Sequence, residues 1–160
     1  MTGVVPDFDE PDYGVDPDFD RGTAHLHPRA LAFVAGGGFA GTLARYGLVV
    51  ALRGSSTQWP MATFAANMLG AFVLGVLIEH LSRHGPDTGR RRDVRLLGGV
   101  GFCGGFTTYS SFAVETTAFL RRGLVGSAVG YAVATVVVGA ALTTAGVALA
   151  AARHDRTTGR

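Results

Sequence analysis

The stretch GLVGSAVGYAVATVVVGAALTTAGVALAAA, Gly123 to Ala152, runs for 30 residues without a charged side chain. A hydrocarbon core of about 30 Å is crossed by about 20 helical residues, so this segment alone is long enough to span a bilayer. Three more stretches read the same way. Ala30 to Leu52 is 23 residues with one charge, Arg45; Pro60 to Ile78 is 19 residues with none; Leu96 to Leu120 is 25 residues with one, Glu115. A soluble helix bundle would carry polar residues every three or four positions, and these stretches do not. The chain reads as an all-α integral membrane protein with four transmembrane helices in a membrane domain over residues 28–152.

Composition agrees. Of 160 residues, 48% are apolar, 16% are charged and 24 are Gly. The net charge of +2 hides an asymmetry. The first 21 residues hold seven of the twelve acids (Asp7, Asp9, Glu10, Asp12, Asp16, Asp18, Asp20) and one base, Arg21. High charge with interspersed Pro and Gly predicts a disordered acidic tail over 1–27, with no cleavable signal. A short basic tail is expected over 153–160. Every base is Arg, and the arginines flank the apolar runs without forming a contiguous basic face, which argues against a nucleic-acid partner. A single cysteine, Cys103, excludes an internal disulfide and a Cys-based zinc site.

The connections are short: Arg53 to Trp59, Glu79 to Arg95, and Arg121-Arg122. Trp59 beside Pro60 fits an interfacial aromatic at a helix start. His80 and His84 are spaced for a metal on one helix face, but no third ligand is near, and exposed loop residues are the simpler reading. Nine arginines on the side of both termini (29, 83, 90, 91, 92, 95, 153, 156, 160) against three on the other (53, 121, 122) predict cytoplasmic termini. Small-xxx-small pairs recur at Gly37/Gly41, Ala66/Gly70, Ala71/Gly75, Gly101/Gly105 and Gly126/Gly130, which permits close helix approach.

The third stretch differs from the others. Gly98, Gly99, Gly101, Gly104 and Gly105 precede Phe106, Thr107, Thr108, Tyr109, Ser110, Ser111 and Phe112. Such residues weaken a helix at mid-span. Broken backbone at membrane depth survives only inside protein or around a polar cavity or ion. The alternative is a continuous Gly-rich helix with hydroxyls bonded to the preceding turn.

The run Gly104-Gly105-Phe106-Thr107-Thr108-Tyr109-Ser110-Ser111-Phe112 resembles the signature of the CrcB/Fluc fluoride channels. Gly36-Gly37-Gly38-Phe39-Ala40-Gly41 with Arg45-Tyr46 resembles that family's first-span motif, and Thr63-Phe64-Ala65-Ala66-Asn67-Met68-Leu69-Gly70 its second. The likeness covers about residues 30–150. It implies a subunit whose third helix is broken at mid-span and which pairs in antiparallel orientation to enclose two fluoride pores. It also implies a structural Na+, not transported, held by the backbone carbonyls of Gly104 and Thr107. Asn67 matches the family's pore asparagine, although an Asn in an apolar span can also bridge helices. Phe112 matches one of two pore phenylalanines, whose positive ring edge faces the anion. The other position holds Tyr109, whose hydroxyl could donate to the ion or block that path. Tyr131 and Thr135 match a polar track on the fourth span, where Thr143 is either an extension or a back-bonded core residue. Arg45 is expected to draw anions toward a vestibule or to snorkel and pair. Glu115 either sits near the pore or serves as an ion-pair or capping residue.

The implied function is passive, fluoride-selective efflux across the plasma membrane, which lowers cytoplasmic fluoride and its toxicity. The partners are fluoride, the lipid bilayer and a second subunit, either self or a related chain. The arginine asymmetry sits uneasily with self-pairing, because antiparallel homodimers require insertion both ways. A small proton-coupled multidrug exporter is the alternative, but it needs an acid where the first span has Arg45. A non-conducting structural subunit of a membrane complex is the third. An enzyme is not expected, since nothing pairs a nucleophile with a base.

Overall fold

The computed structural model describes residues 28–52, 59–83 and 88–159. The expected acidic tail over 1–27 lies outside them, as does His84. Among the described residues, six α-helices and one π-helical segment follow in order: α1 (Pro28–Ala51), α2 (Met61–Ser82), α3 (Arg90–Val94), the π segment (Arg95–Cys103), α4 (Gly104–Phe106), α5 (Tyr109–Arg121) and α6 (Val125–Thr158). Three helices are individually long and apolar enough to cross a membrane: α1, α2 and most of α6. The fourth crossing is the composite from α3 to α5, so four spans are present and the third is interrupted.

The helices extend beyond their apolar cores. The sequence placed Glu79 to Arg95 in a connection, but α2 continues to Ser82 and α3 begins at Arg90. Polar capping explains the extension of α2. The Ser82 hydroxyl donates to the Glu79 carbonyl at 2.9 Å, and Arg83 pairs with the Glu79 carboxylate. His80 is therefore an exposed helix residue rather than a loop residue. At the far end, α6 runs past Ala152 to Thr158, and Arg83 reaches Asp155 at 3.2 Å.

Two packing pairs make the bundle: α1 lies against the π segment and α4, and α2 lies against α6. Glycine decides the first. A Cβ at Gly37 or Gly41 would overlap the carbonyl oxygen of Leu97 or Phe102, and one at Gly105 would overlap that of Gly38. Backbones in contact gain dispersion energy without a hydrophobic driving force, which lipid does not provide. The second pair uses Gly75 against Thr143 and Gly146 against Phe72. Gly126 has open space instead, and Gly130 meets only the Trp59 ring, at 4.0 Å, so this pair brings no second backbone close.

Candidate ion site and groove

The third span breaks at two residues. Thr107 (φ −82°, ψ 161°) and Thr108 (φ −152°, ψ 122°) are extended between α4 and α5. The sequence explains how α5 restarts. The Thr108 hydroxyl accepts from the Ser111 backbone N–H at 3.2 Å, a side-chain N-cap. The Thr107 hydroxyl donates back to the Cys103 carbonyl at 2.8 Å, which closes α4.

Asn67 on α2 clamps the break. Its Oδ1 accepts the Thr108 N–H at 2.8 Å, and its Nδ2 donates to the Thr108 carbonyl at 3.2 Å. The pair mimics two neighbouring strand residues. A side-chain amide has two N–H donors, so one remains beyond this clamp.

These bonds redirect the backbone. In an unbroken helix the Thr108 N–H would serve the Gly104 carbonyl and the Ser111 N–H the Thr107 carbonyl. The first goes to Asn67 and the second to the Thr108 hydroxyl. The carbonyls of Gly104 and Thr107 have thus lost their helical donors. Both residues line an open groove of about 570 Å³ together with Asn67, Tyr109, Phe112 and Thr135. Gly104 has no atom within 4 Å of where a Cβ would stand, which leaves its surroundings open.

Thr143 also lines the groove, whereas Tyr131, Glu115 and Arg45 are not in its lining. Tyr131 is fully buried behind the groove, its ring centroid 5.3 Å from that of Phe112. Trp59, expected at an interface, sets its ring edge against Tyr131 at 5.8 Å, and Phe64 and Phe119 complete the aromatic cage. Glu115 accepts from the Tyr131 hydroxyl at 2.8 Å and from the Thr63 hydroxyl at 2.6 Å, which ties α2, α5 and α6 together. Thr135 donates to the Tyr131 carbonyl at 2.8 Å and Thr143 to the Gly139 carbonyl at 3.0 Å. To donate to an anion, either hydroxyl must turn from its backbone acceptor. Tyr109 is 80% exposed, its ring 6.1 Å from that of Phe112. Arg45 is on α1, away from the groove, and its buried Nε has no hydrogen-bond partner.

Sequence reasoning quoted Thr63, Phe64 and Thr108 within motifs but gave them no site role, and it did not single out Phe119. Thr108 carried a readable signal, a Thr three residues before Ser111 at a helix start. Thr63 carried none, because its partner is 52 positions away.

A CrcB-like protein (camphor resistance) family model matches residues 32–147. The chain belongs to the CrcB family. Among its relatives, Fluoride-specific ion channel FluC 2 of Leifsonia xyli is 50% identical over 128 residues, covering 80% of this chain and 88% of the relative. Fluoride-specific ion channel FluC of Phenylobacterium zucineum is 43% identical, covering 76% of this chain and 95% of the relative. That of Novosphingobium aromaticivorans is 42% identical, covering 69% and 86%. With its apolar helices, this CrcB chain is a multi-pass membrane protein.

Proposed function

We propose that the chain is a subunit of a fluoride-selective channel that lets the anion leave the cell passively. The relatives are named as fluoride-specific ion channels. The observation that carries the reading is the pair of redirected backbone N–H groups, which leaves the carbonyls of Gly104 and Thr107, two residues of the groove lining, without their helical donors. Backbone oxygens suit a hard cation such as Na+. Two from each of two subunits would hold a structural ion that is not transported.

The groove is open along one side, so a single subunit does not enclose a conduit. A second subunit in antiparallel orientation closes it, and Asn67, Phe112 and Tyr109 then face the ion. The remaining Asn67 N–H is the donor, and the Phe112 ring edge supplies a positive rim. Fluoride enters a cell as the neutral acid, dissociates in the less acidic interior and leaves through the pore. In the plasma membrane both termini lie on the cytoplasmic side, where most arginines are.

The arginine bias favours a partner of opposite bias over self-pairing. Fluoride efflux from liposomes tests the reading, with the protein reconstituted alone and with a co-purified related subunit, and with chloride as control. Fluoride-selective flux in either preparation is expected. Its absence from both would sink the assignment.

A further inference from the structure

We propose that Gly37 and Gly41 of α1 are positioning residues for the cation site. They fix where π turns give way to α turns in the third span, and so where the Gly104 carbonyl stands relative to that of Thr107. This rests on the reading of a structural cation at the break, and extends it to a helix that lends the site no ligand.

The two carbonyls are held from opposite sides. At Thr107 and Thr108 the neighbour is α2: Asn67 bonds both backbone groups of Thr108, and a Cβ at Gly70 would overlap the Thr107 methyl. Gly104 has no such neighbour. Nothing lies within 4 Å of where its Cβ would stand, and its N–H donates to the Gly101 carbonyl of the same span. What holds Gly104 is the chain on either side of it, and that chain rests on α1.

A Cβ at Gly37 would overlap the Leu97 carbonyl oxygen and come to 2.9 Å from the Phe102 nitrogen. Leu97 and Phe102 are five apart, the spacing of a π hydrogen bond. A Cβ at Gly41, one turn on, would overlap the Phe102 carbonyl oxygen and come to 2.9 Å from the Phe106 nitrogen. Phe102 and Phe106 are four apart, the spacing of an α hydrogen bond. Phe102 is thus gripped at its nitrogen by one glycine and at its carbonyl by the other, and the change from wide to ordinary turns falls between them. The third span reciprocates. A Cβ at Gly101 would stand 2.7 Å from the Val34 carbonyl oxygen and 2.9 Å from the Gly37 Cα, and one at Gly105 would overlap the Gly38 carbonyl oxygen. A side chain at 37 or 41 must push the third span away from α1. Asn67 anchors that span beyond the break, so the part that yields is the part before it. Loss of a wide turn there rotates the residues that follow about the helix axis, and the Gly104 carbonyl moves away from its place beside that of Thr107.

The test is the Tm of the full-length protein in detergent, with its co-purified partner where it needs one, as Na+ replaces N-methyl-D-glucamine at constant ionic strength. A cation bound only by the folded state raises the Tm with a concentration dependence set by its affinity. In Gly37→Ala the Na+ concentration at half of the full rise should be roughly tenfold to hundredfold higher, as when groups that orient metal ligands are lost. Gly75→Ala is the packing control, because its Cβ would overlap the Thr143 carbonyl oxygen in the other helix pair. It should lower the Tm and keep the wild-type midpoint. Gly36→Ala, with nothing within 4 Å of its Cβ, controls for helix propensity and should also keep that midpoint. A Gly37→Ala midpoint equal to that of wild type overturns the proposal, however far its Tm has fallen. If Gly37→Ala does not fold, amide exchange in the wild type decides, since coupling between seam and site is reciprocal. Na+ should slow exchange over residues 95–106 and leave residues 140–150 of α6 unchanged; exchange over 95–106 that ignores Na+ overturns the proposal. A wild-type Tm that does not respond to Na+ overturns the cation reading itself, a result distinct from a Na+-dependent wild type with an unshifted variant.

Discussion

Asn67 does two things with one amide, and they can be separated. Clamping Thr108 uses its oxygen and one N–H; serving an anion needs the other. Asn67→Ala leaves a Thr108 N–H and carbonyl unpaired at membrane depth, at a cost of about 1–3 kcal/mol for each buried group. Fluoride efflux should fall at least about tenfold, since 1.4 kcal/mol is a factor of ten. Undiminished efflux in liposomes would show that neither use matters. Glu115 is a second such point, because both of its oxygens are acceptors. Glu115→Gln replaces one charged acceptor with a donor, so the Thr63 or the Tyr131 hydroxyl must turn to accept and its own proton loses its acceptor. A loss of about 1–3 kcal/mol follows, seen as a lower Tm in detergent, and an unchanged Tm would refute it. Legibility at this scale tracked the motif. Asn67, Gly104, Thr107, Tyr109, Phe112 and Thr135 meet in one groove. The burial of Tyr131 was not readable, because it depends on how α5 and the start of α2 fold over α6, not on the spacing of Tyr131 and Thr135.

Among the elements, the third span carried the clearest sequence signal and the least complete one. Glycines followed by two threonines left a broken and a continuous helix both open, the motif resemblance implied the break, and regular helix ends at Thr107 and Thr108. The π register over Arg95–Cys103 was not legible. A wide turn has no periodicity signature over nine residues, and here it accompanies the close approach of α1. Small-xxx-small spacing likewise located contacts without ranking them. Gly41 and Gly105 sit against backbone, while Gly126 faces open space. Gly41→Ala or Gly105→Ala must push two backbones apart, costing about 1–3 kcal/mol as other overpacked sites do. Gly126→Ala should lie within about 0.5 kcal/mol of wild type, and could gain from helix propensity. Thermal unfolding of the three variants side by side checks this, and equal Tm values would refute the packing argument.

For the molecule as a whole, the question is which way it inserts. The valines of α6 leave a broad apolar face uncovered, with Val136 70% exposed and Val137 60%. A bilayer or a second subunit must cover that face, and the direction of insertion decides which subunits are available. Among the described residues, eight arginines stand at the end with the termini and two, Arg121 and Arg122, at the other. Positive charge near span ends holds a loop on the cytoplasmic side, so this imbalance opposes dual insertion. Cys103 is 3% exposed, and a Cys103→Ser background removes the one native thiol. Single probes at Arg122→Cys and Arg156→Cys then report opposite ends of α6. In intact cells an impermeant maleimide should reach the Arg122→Cys site and leave the Arg156→Cys site unlabelled until the membrane is opened. That pattern requires a partner of opposite orientation for the antiparallel pair, because every copy of this chain would point the same way. Labelling of both sites from outside would mean that the chain inserts both ways despite its arginines and can close the groove with a second copy of itself.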